Sequence, residues 1–451
     1  MATAHSDDVW AEIETRPWDE VVALQEERLR EQVDYLARES DYYRRMFDEW
    51  DVDPDTIRTV EDLAEVPFTV KDDERANQTD PTPERPLGAH QAASRGDLAR
   101  ILSSSGTTGE PTFFGQTHAD WEAWREMCAR AVYAAGVRPD DVILHGVGRT
   151  MVPGGFPYVE ALQHVGATVV PAGDGSTERI LTTADKLSVD GLFVTTSHSQ
   201  YLSDRAPEAI GKPVSDLGVD TIIGGGEPGM SNPAIRGAIR RAYDAERVGQ
   251  VMGIGEVSSA VAGECEREQG MHFVGQGYVL MELIDPETGD QRPIEAGAEG
   301  ELVYTPLGRE ATPLLRFRSG DYVEFLDTDC ACGRTAPRFR IVGRTDDMLI
   351  YKAQNVYPAA IRDAVSDVDG ATSRVKVVLP EPGKVQFDSP IPIEVVRDPD
   401  ADRTDDAIAE AVERTVRERL NVRVAPRLVD REDVELSVYK TDLVRVEGGD
   451  G

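Results

Sequence analysis

The chain reads as an α/β protein, a large amino-terminal domain of parallel strands plus a β region, followed by a small α+β carboxyl-terminal domain. Three stretches carry this reading. Between about residues 99 and 260 short apolar runs alternate with amphipathic helical segments; from 272 to 343 the runs become short strands separated by turn signals; beyond 348 strand and helix patterns alternate again. The length of 451 residues fits two or three domains at roughly 150 residues each.

The elements follow in order. Residues 8 to 50 read as helices, because Trp10, Ile13, Val21, Leu24, Leu29, Val33 and Leu36 recur at spacings near three and four among charged residues. DPTPERPLGAH, 80 to 90, reads as a surface loop. The runs ARIL, DVILHGV, GATVVPA, GLFVTT and DTIIGGG then end in small polar residues, with helices such as WEAWREMCARAVYAAG and NPAIRGAIRRAYDAE between them. Strand and helix in alternation predict a parallel sheet covered on both faces, with ligands at the carboxyl ends of its strands. GYVLMELIDPETGDQ, EGELVYTPL, LLRFRSGDYVEFL and RFRIVGR predict an antiparallel β region, with a hairpin turn at DPETGD. After GRTDD come a strand, MLIYK, a helix from Pro358, strands RVKVVLP and PIPIEVVRD, a helix with Ile408, Val412, Val416 and Leu420 on one face, and RLVDRE.

Charge excludes two classes of partner. With 83 Asp and Glu against 48 Lys and Arg, the net charge is −35. Nucleic acid and anionic membrane are repelled, since counterion-driven binding needs clustered cations. Only seven of the 48 basic residues are Lys, so 41 are Arg. A surface this acidic repels itself, which suits a salt-rich cytosol where the Debye length shrinks to ~3 Å. The acidic start MATAHSDDVW and the lack of a long apolar run predict a soluble, cytoplasmic protein. Four Cys suit a reducing compartment.

Five segments are suited to chemistry. In Ser103-Ser104-Ser105-Gly106-Thr107-Thr108-Gly109 small residues let successive amides face one anion while hydroxyls add donors, which suits a phosphate; a plain Ser/Gly turn is the alternative. A Walker A loop is excluded, because no Lys stands at the required place. Gly224-Gly225-Gly226-Glu227-Pro228-Gly229 fits the dinucleotide pattern only formally, since Pro228 suits a turn better than a phosphate-capping helix. Glu256, at the end of the strand-like QVMGIGE, is placed to hold Mg²⁺ or is a solvated loop carboxylate. Asp321 and Arg344 follow successive strands, where a carboxylate can accept both hydroxyl protons of a ribose. Cys265, His272, Cys330 and Cys332 make a complete tetrahedral set for a structural zinc, against a bland reading of inert thiols and a surface His.

Taken together, SSSGTTGEPT, GGGEP, GIGEV, RFRSGD, CACGRTAPRF and GRTDDMLIYKAQNVYP resemble the phenylacetate-CoA ligase family of adenylate-forming enzymes and the related coenzyme F390 synthetase-like proteins, over about residues 25 to 447. The resemblance implies an adenylate-forming domain over 1–345 and a small mobile domain over 346–451, hinged at Asp346. It also implies that Ser104, Ser105, Gly106, Thr107, Thr108 and Gly109 hold the phosphates of ATP, with Thr107 catalytic. Gly226, Glu227 and Pro228 would flank adenine, Glu256 bind Mg²⁺, and Asp321 with Arg344 bind ribose. The implied reaction joins a carboxylic acid, aromatic as in phenylacetate, to coenzyme A through an acyl-adenylate. An F390-type adenylyltransferase and a non-catalytic nucleotide-binding relative are the alternatives.

The chain departs from that pattern at several places. The family's carboxyl-terminal Lys falls at Asp442, with Lys440 two residues earlier; side chains two apart share a strand face, so Lys440 is expected to reach instead. Met252 replaces a Tyr beside adenine, Gly255 replaces a Ser or Thr, and Ala353 replaces a Gly.

Overall fold

The computed structural model describes residues 9–104, 111–148, 151–227, 229–352, 354–434 and 442–447. Five parallel strands lie in the order Thr168–Pro171, Val142–His145, Gly191–Val194, Thr221–Gly224 and Arg247–Ile254. Successive side chains feed opposite cores. Ile143, Phe193, Ile223 and Val251 pack with helices His118–Ala134 and Phe156–Val165. Leu144, Leu192, Ile222 and Val248 pack with Thr177–Leu187, Thr196–Ile210 and Pro233–Tyr243. Burial on both faces explains why these strands read as continuous apolar runs rather than alternating ones.

The antiparallel region is continuous with the parallel one. Arg247–Ile254 pairs on its free edge with Ser258–Glu264, and the sheet runs on through Met271–Phe273, Arg338–Arg344, Phe317–Phe325, Glu299–Pro306, Val279–Ile284 and Gln291–Arg292, twelve strands in all. The DPETGD turn closes the hairpin at its far edge as expected. One expectation fails: ARIL does not join the parallel sheet. Arg100–Ser104 pairs antiparallel with Thr112–Gln116 in a separate hairpin. The seven intervening residues, 105 to 111, are too few for a parallel crossover, which takes a dozen or more.

At the amino end, helices Trp18–Glu39 and Asp41–Trp50 break at Ser40, whose hydroxyl accepts from the Tyr43 amide at 3.2 Å and so caps the second helix. Both pack on Leu280, Leu307 and Leu315 of the antiparallel half. The Pro-rich stretch is irregular as read, but it ends anchored, with Leu87 and His90 buried around one 3-10 turn.

Beyond residue 346 the elements fall where the sequence puts them: Leu349–Tyr351, Pro358–Ser366, Ala371–Leu379, Ile391–Arg397, Asp405–Leu420 and Val424–Val429. They form a four-stranded and a three-stranded sheet around a core of their own, in which Val377, Ile393 and Val395 meet Ile361, Ile408 and Val412. Among the described residues, no helix is long and apolar enough to cross a membrane.

Candidate active site

Strand order brings several of the expected residues to one end of the sheet. Glu227 follows strand Thr221–Gly224 and Glu256 follows the adjacent strand Arg247–Ile254. Glu227 Oε1 accepts from the Ser197 hydroxyl at 2.6 Å, at the start of the helix that leaves the next parallel strand. Gly226 takes φ +83°, a left-handed conformation that costs glycine nothing, and a Cβ there would meet open space.

Ser104 ends its hairpin strand 8% exposed and close to Gly255. A Cβ on Gly255 would be in ordinary contact with Ser104 Cβ at 3.6 Å but crowded by the Pro153 ring at 3.1 Å, so the Glu256 turn lies against both the hairpin and Pro153. Met252 is buried in the hydrophobic core with Phe114 and Trp124.

Glu256 is buried at 4% exposure and lies 2.9 Å from Lys71 Nζ. A second buried carboxyl, Glu74, adjoins it. Burial, then the Glu256 carboxylate, pushes Glu74 well above the usual carboxylate range, while Lys71 and Arg309 act against that. Thr69, two residues before Lys71, is bonded to the strand that carries Asp321: its amide donates to the Arg316 carbonyl at 3.0 Å and the Arg318 amide donates to its carbonyl at 2.9 Å. Lys71 was missed by the sequence reading. Its one signal was rarity, as one of seven lysines in an arginine-dominated chain.

Asp321 and Arg344 face each other across neighbouring strands, with Arg344 Nη1 3.1 Å from Asp321 Oδ1. The same guanidinium donates through Nε and Nη2 to Asp346, at 2.8 and 2.7 Å. Asp321 and Asp346 together raise its pKa against the effect of burial. Arg344 thus ties the expected ribose carboxylate to the expected hinge. Gly320, at φ +75°, clears the space, since a Cβ there would lie 2.9 Å from Arg344 Nη2.

The four metal-ligand candidates converge in a second place. Cys265 follows strand Ser258–Glu264, His272 lies in Met271–Phe273, and Cys330 and Cys332 sit in the turn before Arg338–Arg344. Their donor atoms all lie within 4.8 Å of one another. Cys265 and Cys330 sulfurs are 3.7 Å apart, and Cys332 Sγ is 3.4 Å from His272 Nε2. A tetrahedron with zinc–sulfur bonds of about 2.3 Å has edges of ~3.8 Å, so the spacing fits. The next residue but one, Arg334, is buried against Glu14 at 2.9 Å and fastens this turn to the amino-terminal segment.

Ser105, Gly106, Thr107, Thr108, Gly109, Pro228, Ala353 and Lys440 lie outside the described residues. Asp442 is exposed, and its carbonyl accepts from Lys376 Nζ.

Residues 30–306 match the AMP-binding enzyme family. The chain belongs to that family. Within it, this AMP-binding enzyme is 34% identical to the phenylacetate-coenzyme A ligase of Thermus thermophilus over 91% of its own length and 93% of the relative's. The phenylacetate-coenzyme A ligase of Escherichia coli is 33% identical over 78% of each chain. Among solved structures, 2-hydroxyisobutyryl-CoA ligase in the postadenylation state with 2-HIB-AMP superimposes with a TM-score of 0.89 at 25% identity, covering 99% of this chain and 94% of that one. The same ligase with 2-HIB-AMP and CoA in the thioesterification state gives 0.72 over the same shares. The fold is therefore the α/β adenylate-forming one, with a large mixed sheet and a small carboxyl-terminal sheet.

Proposed function

We propose that this AMP-binding enzyme is an acid–CoA ligase acting on an aromatic acid such as phenylacetate. A carboxylate oxygen attacks the α-phosphorus of ATP, the bond to the β-phosphate oxygen breaks, and pyrophosphate leaves; the thiol of coenzyme A then forms the thioester as AMP departs. The observation that carries the reading is the meeting of buried Glu256, Lys71 and the Ser104 strand end at the carboxyl edge of the parallel sheet, where such sheets bind ligands.

In this reading Ser104 to Gly109 cradle the phosphates, with Thr107 catalytic. Gly226, Glu227 and Pro228 border adenine, Asp321 and Arg344 hold ribose, and Lys440 stabilises charge at phosphorus. Glu256, here paired with Lys71, would hold Mg²⁺, which would supply positive charge to the phosphates. A structural zinc sits on Cys265, His272, Cys330 and Cys332, and a fully occupied tetrahedron leaves it no position for catalysis. In this reading the boundary between residues 1–345 and 346–451 is a hinge at Asp346, and the higher TM-score to the postadenylation ligase (0.89) than to its thioesterification state (0.72) supports an arrangement that follows adenylation. A salt-rich cytoplasm is the setting that the charge of −35 suits.

The test is pyrophosphate release from ATP in molar KCl, with phenylacetate and 2-hydroxyisobutyrate as separate acids, with and without coenzyme A. Release with phenylacetate, and an acyl-CoA only when the thiol is present, is expected. Preference for the hydroxy acid would overturn the aromatic assignment. A stable AMP-bearing product without coenzyme A would mark an adenylyltransferase, and binding of ATP without release on any acid would mark a non-catalytic relative.

A further inference from the structure

One carboxylate joins the two parts of the molecule. Asp204 lies on helix Thr196–Ile210, which begins beside Glu227, and its two oxygens are taken separately. Oδ2 accepts from Arg374 in strand Ala371–Leu379, and Oδ1 accepts from Arg431 at 2.8 Å in the turn Arg431–Asp433. One turn earlier on the helix, Gln200 Nε2 donates to the Ser373 hydroxyl at 3.2 Å.

These groups line a cavity of about 630 Å³ between the helix pair Thr196–Ile210 and Pro233–Tyr243 and the carboxyl-terminal strands. The cavity is open, so the Arg431 pair stays partly in solvent, with Asp204 23% and Arg431 54% exposed, while Arg374 is more enclosed at 10%. Partly exposed pairs are weak enough to be released and are screened by salt.

We propose that Asp204 is a positioning residue, a latch that holds Arg374 and Arg431 and so seats the carboxyl-terminal sheet in the arrangement that follows adenylation, and that its release admits the second half-reaction. The proposal rests on the ligase reading, in which the carboxyl-terminal part must turn on Asp346 between the two steps. Helix and strand would then separate, and contacts made at Asp204 and Gln200 cannot persist. Both guanidinium groups end on one carboxylate, so a single substitution removes both pairs. Salt acts on the same contact, which makes the partition between the two steps dependent on ionic strength.

The test reports the contact without needing a substrate. Full-length protein carrying Gln200→Cys and Ser373→Cys is treated with a short bismaleimide, and the 200–373 crosslink is followed by peptide mass spectrometry, which separates it from products of the native cysteines. Adding Asp204→Asn is expected to slow crosslinking about five- to tenfold, Asp204→Glu to restore most of the rate, and 2 M KCl to slow the parent while leaving the Asn variant nearly unchanged. Melting of the Asn variant within a few degrees of the parent confirms that the fold survives. Equal crosslinking rates in parent and Asn proteins would overturn the latch, whatever acids the enzyme activates. In protein that turns over an acid, Asp204→Asn with the native Gln200 and Ser373 slows the first-turnover release of pyrophosphate and speeds thioester formation from the adenylate; no change in that ratio also overturns it. Silence across the acid panel with a slowed crosslink would remove the ligase reading and leave the contact standing.

Discussion

Buried imidazoles give this AMP-binding enzyme a defined acid sensitivity. Burial pushes His90 from 6.5 down to about 4, and His198, on the first turn of the Asp204 helix, to about 4 as well. Both are 1% exposed. A base with a lowered native pKa takes up its proton more readily in the unfolded chain, so stability is intact above pH 6.5, falls as pH drops through the window to about 4, and levels off below it. Each group contributes up to about 3 kcal/mol over that window, at about 1.4 kcal/mol per unit. Urea midpoints at pH 7.5 and pH 5 check this: the midpoint is expected to fall between them, and His198→Leu to flatten part of the fall. An unchanged slope in that variant would assign the acid sensitivity to other groups. These histidines were illegible in the sequence, where a lone His carries no pattern. Lys71 was illegible for a related reason, since its partner Glu256 is 185 positions away and only the sheet brings them together. Glu256 was legible because it follows a strand of the parallel sheet, where such sheets present ligand-facing groups. The expectation that Asp321 and Arg344 follow strands fails: Asp321 lies within Phe317–Phe325 and Arg344 ends Arg338–Arg344, paired antiparallel.

The turn bearing Cys330 and Cys332 does two jobs, closing the four-ligand cluster and seating Arg334 on Glu14. Both side chains of that ion pair are at most 2% exposed, so the turn is fixed from both sides. Binding about one zinc per chain is expected, and Cys332→Ser should lose the metal and lower the melting temperature, because metal-binding free energy at such a site is folding free energy. Metal analysis of the folded parent that finds none would refute this. The cluster was readable from sequence because three of the four cysteines fall in two turns bordering one β region, and those turns proved to be neighbours. The Arg100–Ser104 hairpin was not readable, since an apolar run says strand without saying which sheet. Strands Gln354–Val356, Gln386–Phe387 and Val444–Val446 are two or three residues long and hold no period to detect.

Across the whole molecule, a charge of −35 sets a self-repulsive field that added salt screens. Raising KCl from 0.1 to 2 M is expected to lift the melting temperature by roughly 5 °C or more as the Debye length contracts from ~10 Å to below 3 Å. Thermal melts in KCl against an equal osmolality of sucrose separate screening from general stabilisation, and equal shifts would argue against self-repulsion. The fold class was legible because helix and strand periods switch cleanly along the chain. The continuity of the sheet was not, because no local pattern reveals that Arg247–Ile254 serves the parallel strands on one edge and the antiparallel strands on the other.

Gly255 and Pro153 carry one last consequence. A side chain at 255 and the ring at 153 compete for the same space. The two positions are therefore epistatic, and neither can be interpreted alone. Gly255→Thr by itself drives a methyl and a hydroxyl against the pyrrolidine, whereas the same exchange with Pro153→Gly is accommodated. The tolerated order of change runs through Pro153→Gly first and Gly255→Thr second. Any attempt to rebuild the more usual sequence at this turn has to move both residues together.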